Sequence, residues 1–279
     1  MTGELNMLVC LKVVPKSEEV GVNRETMTLD RGNARSEINP PDMNALEAAL
    51  ALKDRYGGRV SLLSMGPPFV VPMLRVGLAM GADAAYLLSD RAFGGADTLA
   101  TSLTLASAIR KIGNIDLVLC GEESSDGATA QVPPGIAAWL DIPQVTYAMD
   151  VELDRDRRHL LVTREIRGGE EVLDAPMPAV VSLKVSCNQP RFMDAEGISR
   201  LDGEVAVTTW TASDLDVDPA HLGLAGSPTS VAGLREASQQ TGRRREMVTG
   251  TPEQEAHVLY ERISEFLRSA GPRAQEVTT

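Results

Sequence analysis

Apolar and polar residues alternate in blocks along the first half of the chain. Four short apolar runs are typical of buried strands, and each is followed by a helical period that ends at glycine or a polar turn. The runs cover residues 7–14, 59–65, 84–89 and 115–120, and the helices are predicted at 43–56, 70–80, 98–111 and 130–140. Asp42 is the expected N-cap of the helix at 43–56. This alternation predicts a Rossmann-like parallel α/β sheet with helices on both faces, which binds ligands at the carboxyl ends of its strands.

The pattern changes after residue 143. Residues 144–152, 159–166 and 171–173 alternate at a period of two, and Arg167-Gly168-Gly169 is typical of a hairpin turn. Residues 177–184 return to the buried-strand pattern, and a further short hairpin is predicted near 27–29. We therefore expect an antiparallel ribbon added to the parallel sheet.

Regular periodicity is lost beyond residue 198, where Asp, Ser, Thr and Gly dominate. Thr251, Pro252 and Gln254 then form the start signal of a helix. Its apolar stripe consists of Ala256, Leu259, Ile263, Phe266 and Leu267. The sequence thus predicts a nucleotide-binding α/β domain at 1–198 and, at 199–279, an extended arm with an amphipathic helix for contact with a partner.

Charge and composition exclude several classes of function. A net charge of −12 over 279 residues argues against binding to nucleic acid or to an anionic membrane surface. The three cysteines form no CxxC pair, which argues against zinc and iron–sulfur sites. We expect a cytoplasmic protein without membrane insertion, because the N-terminus lacks a signal peptide and no apolar run reaches about 18 residues.

Catalytic constellations are not evident in the sequence. The three histidines, His159, His221 and His257, fall in the ribbon and the arm, away from the predicted ligand end of the sheet. The sequence also lacks a nucleophile elbow. We therefore expect a carrier and not an enzyme.

The stretch after the fourth strand carries the main binding hypothesis. A strand, a glycine loop and a short helix present free backbone N–H groups to an anion, although an ordinary βα turn has the same composition. No GxGxxG or P-loop motif is present. The expected donors are the N–H groups of residues 127–130 and the hydroxyls of Ser124, Ser125 and Thr129. Glu122 and Glu123 are expected to face solvent, and Asp126 to cap the helix.

Several motifs, in order, resemble the β (small) subunit of electron transfer flavoproteins, including the homologues associated with nitrogen fixation. They are LVCLKVVP, INPPD, VSLLSMGPP, RVGLAMGADAAYLLSD, FGGADTLAT, DLVLCGEESSDGATAQVPPGIAAWLDIPQVTY, VTREIRGGEEVLDAPMPAVVSLK and CNQPRFMDAEGIS. The resemblance covers roughly residues 6–198, with a weaker match at 222–234. It implies the adenine-nucleotide α-hydrolase-like fold.

The resemblance also implies partners, cofactors and a site. Such β subunits pair with an α subunit that carries FAD. The β subunit forms one wall of that flavin site and binds AMP. In electron-bifurcating members a second FAD takes the place of AMP. The cofactor-binding residues implied here are Cys10, Asn39, Pro40, Pro41, Asp42, Met65, Gly121, Glu122, Glu123, Ser124, Ser125, Asp126, Gly127, Ala128, Thr129, Ala130, Gln131 and Val132. A loop near Asn188–Ile198 would dock on a flavin dehydrogenase.

The leading hypothesis is therefore an electron carrier that takes electrons from flavin dehydrogenases of the acyl-CoA dehydrogenase type to a downstream acceptor. The alternatives are a bifurcating member with FAD in the β site, or a stand-alone adenine-nucleotide sensor of the universal-stress type, which would need no long arm. The chain departs from the family pattern at 121–128, where Glu and Ser replace a Lys-Gln-Ala-Ile segment, and at Arg167, where the family has an acidic residue.

Overall fold

The computed structural model describes residues 4–16, 21–23, 28–30, 36–154, 158–201, 206–230 and 247–269. The chain divides into two compact units, Met1–Leu234 and Arg235–Thr279. The first unit contains the sheet and the candidate site. The second unit contains one described helix.

Thirteen strands lie within the described residues. They are β1 (Asn6–Cys10), β2 (Val13–Pro15), β3 (Gly21–Asn23), β4 (Thr28–Asp30), β5 (Ser36–Ile38), β6 (Arg59–Met65), β7 (Ala84–Leu88), β8 (Leu117–Gly121), β9 (Gln144–Asp154), β10 (His159–Ile166), β11 (Gly169–Pro176), β12 (Ala179–Leu183) and β13 (Thr208–Trp210). The α-helices of the same ranges are α1 (Pro40–Tyr56), α2 (Val71–Ala79), α3 (Thr98–Ile112), α4 (Val132–Leu140), α5 (Ala195–Leu201) and α6 (Pro252–Ser269).

Nine of these strands form one mixed sheet in the order β11-β10-β9-β12-β8-β1-β6-β7-β13. Its core is parallel, and β9, β10 and β11 add the predicted antiparallel ribbon. The chain runs from β1 outward to β6 and β7, and then from β8, on the other side of β1, to β12. The strand order thus reverses between β1 and β8, which is where open α/β sheets form a ligand crevice.

The period-two alternation of the buried strands supplies two apolar layers. Met7 and Val9 of β1 join the core that contains Leu46 of α1, whereas Leu8 joins the core on the opposite face. α1 and α2 contribute to the first core, and α3 and α4 to the second. Strands buried on both faces explain why the runs read as almost wholly apolar.

Two predicted boundaries at the carboxyl edge were wrong. The strand predicted at 7–14 ends at Cys10. The backbone of Lys12 leaves the sheet, because its N–H donates to the Asp42 carboxylate and its carbonyl oxygen accepts from Asn39 N. Residues 13–15 instead pair with β5 in a separate two-stranded sheet. Gly121 does not interrupt the fourth strand but closes it, pairing with Leu183 of β12.

The hairpin expected near 27–29 is present as the antiparallel pair β3–β4, although Met27 itself lies outside the described residues. A further strand was not predicted: β13, from the predicted arm, pairs in parallel with β7 at the sheet edge. Trp210 of β13 contacts Tyr86, with ring centroids 5.0 Å apart, and Lys111 lies 5.1 Å from the Trp210 ring. A strand of three residues is too short to show a period.

The second unit confirms the helix predicted after Thr251. Thr251 N donates to Gln254 Oε1 at 3.0 Å, and Gln254 N donates to Thr251 Oγ1 at 3.4 Å. This reciprocal arrangement satisfies two backbone donors that the first turn of α6 leaves unpaired. In the part of the chain that the structure describes, no helix has the length and apolar character needed to cross a membrane.

Candidate functional site

A buried carboxylate joins the two strands at the switch point. Asp42 Oδ2 accepts from Lys12 N at 2.7 Å, just beyond β1, and Oδ1 accepts from Gly121 N at 3.0 Å, at the end of β8. Asp42 was expected as the N-cap of α1, but Pro40 and Pro41 start that helix earlier and Asn39 takes the cap position. Burial raises the pKa of Asp42 to about 7, against the lowering effect of these two backbone donors.

Asn39 fastens the loop that follows β8. Its Nδ2 donates to Glu123 O at 2.8 Å and its Oδ1 accepts from Ser125 N at 3.0 Å, while the residue is almost fully buried. The Asn-Pro-Pro-Asp segment therefore holds the loop by its backbone. In this arrangement Asn39 and Asp42 position the loop through hydrogen bonds to its backbone.

Gly121 permits this close approach. A Cβ atom at Gly121 would lie 2.4 Å from Asp42 Oδ1, 2.6 Å from Pro41 Cβ and 2.7 Å from the Pro41 carbonyl carbon. Real Cβ contacts do not reach such distances. Only glycine at the end of β8 leaves enough space for the first turn of α1 to pack against this strand.

Two of the four expected N–H donors are used within the loop. Gly127 N and Ala128 N donate to Ser124 O, at 3.2 Å and 2.7 Å. The N–H groups of Thr129 and Ala130 donate to no acceptor among the described residues. Ala128 and Ala130 have positive φ angles of 45° and 52°, and backbone that alternates in this way forms an anion-binding concavity.

Lysines neutralise two acidic side chains of the loop. The prediction that Asp126 caps α4 was wrong. The N-cap of α4 is Gln131, which makes no side-chain capping hydrogen bond, and Asp126 Oδ1 lies 2.5 Å from Lys12 Nζ. The prediction that Glu122 faces solvent was also wrong. Its side chain is 18% exposed, and its Oε2 lies 4.0 Å from Lys184 Nζ. Burial raises the pKa of Glu122, and Lys184 opposes that shift.

Neither Lys12 nor Lys184 was among the predicted site residues. The sequence does mark Lys12 as unusual, because it is the one charged residue in the apolar run at 7–14. Lys184 had none, since it follows a buried strand as an ordinary polar residue. Its Nζ also lies 2.7 Å from Glu165 Oε2 of the ribbon, so it lies between the loop and β10.

The remaining predicted residues lie along the same edge. Cys10 ends β1 beside Cys120 of β8, and a hydrogen bond to the Cys10 thiol together with burial raises the pKa of Cys120. Met65 ends β6, the next strand from β1, and makes no hydrogen bond to the loop among the described residues. Thr98 Oγ1 donates to Gln131 Oε1 at 2.8 Å, which links the start of α3 to the end of the loop. In the described ranges, no group of three or more His, Cys, Asp or Glu side chains has the geometry to hold a metal ion.

The predicted docking segment at 188–198 is fastened to α1. Asn188 exchanges hydrogen bonds with Asn44, and Arg191 binds both Glu47 oxygens at 2.9 Å and Asp54 at 2.8 Å. Hydrogen bonding to Glu47 raises the pKa of Arg191 further. Phe192, the next residue, is 93% exposed. An exposed aromatic side chain, on a segment that hydrogen bonds and ion pairs hold in place, is the kind of group that anchors protein–protein contacts.

Comparison with known proteins decides the family. Residues 26–215 match the model of the electron transfer flavoprotein domain. The chain belongs to the electron transfer flavoprotein β family. It is 44% identical over 260 residues to the electron transfer flavoprotein subunit beta of Thermoanaerobacterium thermosaccharolyticum, covering 93% of this chain and 98% of that one. It is 50% identical over 228 residues to the subunit beta of Clostridium acetobutylicum, covering 81% and 86%.

A third relative is named for a complex with an enzyme. The caffeyl-CoA reductase-Etf complex subunit CarD of Acetobacterium woodii is 45% identical over 249 residues, covering 88% of this chain and 93% of that one. Membership in the electron transfer flavoprotein family gives the chain a role in flavin-linked electron transfer. It agrees with the resemblance inferred from the motifs and with the α/β sheet.

Proposed function

We propose that this chain is the β subunit of a heterodimeric electron transfer flavoprotein. It would pass electrons from flavin dehydrogenases of the acyl-CoA dehydrogenase type to a downstream acceptor. It would act as an electron carrier and would not itself make or break covalent bonds in a substrate. The family assignment over nearly the whole chain supports this proposal. FAD bound to the α subunit would supply the redox chemistry. This chain would form one side of the FAD site, and the complex would be cytoplasmic.

The carboxyl edge at β1 and β8 is proposed to hold an adenine nucleotide, AMP. The observation that carries this is the loop at 121–131, which Asn39 and Asp42 hold at the switch point. Among the residues that the structure describes, the N–H groups of Thr129 and Ala130 have no acceptor and could bind an anion. Two of the loop's three acidic side chains have lysine partners, which reduces their repulsion of a phosphate. A second FAD at the same place is the alternative.

The nucleotides released from the complex test both proposals. We expect the chain to purify with an α-type subunit and to release one FAD and one AMP per heterodimer on denaturation, measured by chromatography against standards. Two FAD and no AMP would support the bifurcating alternative. A homodimer without flavin would contradict the carrier and leave the adenine-nucleotide sensor.

The segment at 188–198 is proposed to dock on the dehydrogenase through Phe192. Replacing Phe192 with alanine is expected to lower kcat/KM for reduction by the dehydrogenase about thirtyfold, since truncating an apolar anchor costs about 2 kcal/mol. Val172→Ala is the matched control, because Val172 is also an exposed apolar side chain (65%) but lies on β11 of the ribbon. Equal rates for both variants and the wild-type complex would exclude Phe192 as the anchor.

A further inference from the structure

The docking segment and the loop at 121–131 are held by neighbouring turns of one helix. Asn39 and Asp42, at the start of α1, hold the loop through hydrogen bonds to its backbone. Asn44 and Glu47, further along the same helix, hold the docking segment. The helix rises only about 7.5 Å from Asp42 to Glu47, at 1.5 Å per residue. The two proposed sites therefore share the first two turns of α1.

The contacts between α1 and the docking segment involve both side chains and backbone. Asn44 Nδ2 donates to the backbone oxygen of Asn188 at 2.8 Å and to its Oδ1 at 2.9 Å, and Asn188 Nδ2 donates to Asn44 O at 2.9 Å. Asn44 is buried. Glu47 accepts from the backbone N–H and from the guanidinium of Arg191, each at 2.9 Å. These bonds fix the chain directly before the exposed Phe192.

The end of β12 joins the loop to the same segment by a second route. Glu122 N donates to Leu183 O at 2.9 Å, which continues the pairing of β8 with β12 one residue beyond β8. The Glu122 carboxylate also lies 4.0 Å from Lys184 Nζ. One short helical turn, Val185–Cys187, then leads to Asn188. The start of the docking segment is therefore tied to the loop from two sides.

We propose that a nucleotide bound at the loop strengthens docking of a dehydrogenase on the segment at 188–198. Among the described residues, Thr129 N and Ala130 N have no acceptor, so an anion that binds them adds order to the loop and to what the loop holds. A segment that is already ordered loses less conformational entropy when it docks. The inference rests on the proposed nucleotide and docking sites and assigns a regulatory link between them. We expect a factor of about ten, within the usual range of coupling between two sites.

Hydrogen–deuterium exchange tests this link without a dehydrogenase. The complex, freed of nucleotide at the β site, is measured alone and with saturating AMP, and again with FAD. Exchange in peptides that span 188–198, which include the Arg191 amide bonded to Glu47, is expected to slow about tenfold when the nucleotide binds. Peptides from β11, at the far edge of the sheet, should be unchanged. Unchanged exchange at 188–198 with nucleotide bound would overturn the inference.

Binding of an acyl-CoA dehydrogenase gives the second measurement. The nucleotide-loaded complex should bind this dehydrogenase about tenfold more tightly than the emptied complex. By linkage, the dehydrogenase should raise the affinity of the complex for AMP by the same factor. Equilibrium dialysis of labelled AMP measures that reverse effect and needs no emptied complex, so it also serves where emptying separates the subunits. Affinities that are independent of the other ligand would contradict the link.

The variant Asn44→Ala/Glu47→Ala tests whether α1 carries the effect. It removes the bonds from the first two turns of α1 to the docking segment and no described hydrogen bond to the loop. The tenfold factor should fall below about threefold. Lys53→Met is the matched control, because it removes an ion pair with Asp83 (2.8 Å) from the last turn of the same helix, and it should keep the tenfold factor. A double variant that keeps the full factor would overturn the role of α1.

The outcomes for the wild-type complex separate this inference from the proposals on which it rests. A complex that binds neither AMP nor FAD at the loop removes the proposed nucleotide site. A complex that no acyl-CoA dehydrogenase binds removes the proposed docking role. A complex that binds both, each unaffected by the other, overturns the coupling alone, and this comparison stands even if the double variant does not fold.

Discussion

Alanine at position 121 is expected to destabilise the folded chain by about 3 kcal/mol, the upper end of typical overpacking costs. The added Cβ would meet the Asp42 carboxylate at 2.4 Å and the Pro41 carbonyl carbon at 2.7 Å. Pro41 lies in the first turn of α1 and is buried, so it has no free side to move to. Relief requires β8 to separate from α1, which lengthens the hydrogen bond from Gly121 N to Asp42.

The same change should abolish binding at the proposed nucleotide site, because the loop at 121–131 begins at the displaced residue. Urea unfolding monitored by circular dichroism gives the stability, and chromatography of the denatured complex gives the nucleotide content. Gly169→Ala is the control. That glycine has no atom within 4 Å of its would-be Cβ, so the variant should stay within about 0.5 kcal/mol of wild type. A Gly121→Ala variant with wild-type stability would show that the strand end is not closely packed on α1.

The second large effect is a pH dependence of stability centred on Asp42. Its pKa is raised by burial from 3.8 to about 7, so the folded chain binds this proton more tightly than the unfolded chain does. The contribution is fully present below about pH 4, is lost as the pH rises toward 7 and is absent above that. A shift of this size corresponds to a loss on the order of 4 kcal/mol across that range.

Asp42→Asn should remove that slope, because an amide does not titrate. Free energies of unfolding measured at intervals from pH 4 to pH 8 in both proteins provide the test, and their difference isolates Asp42 from other carboxylates. At pH 4, where Asp42 is protonated and most stabilising, Asp42→Asn should lower stability, since its NH₂ group would face an N–H donor. Parallel curves for the two proteins would mean that Asp42 ionises normally.

Asp214→Asn supplies a contrast of opposite sign. Hydrogen bonds from the Thr211 backbone and side chain lower the pKa of Asp214. Its contribution is present above the ordinary carboxyl pKa and is lost as the pH falls through the lowered value. Its replacement should therefore lower the free energy of unfolding by a constant amount from pH 5 to 7, leave the slope in that range unchanged, and flatten the curve at the acidic end.

The sequence alone determined the class of fold and most of its long elements. Continuous apolar runs require strands buried on both faces, and the helical periods between them require crossovers, so a parallel sheet follows from local pattern alone. The helix after Thr251 was equally predictable, since its capping signal acts within four residues. The family could be named because many motifs recur in order.

Tertiary structure decided which residues meet at the edge of the sheet. The order of strands is set by how crossovers pack, and only that order places Lys12 beside a loop more than 100 residues later. Contacts at such separation leave no periodic trace, so neither the pairing of Lys12 with Asp126 nor that of Lys184 with Glu122 could be predicted. The use of two loop N–H groups by Ser124 likewise depends on backbone angles that composition does not encode.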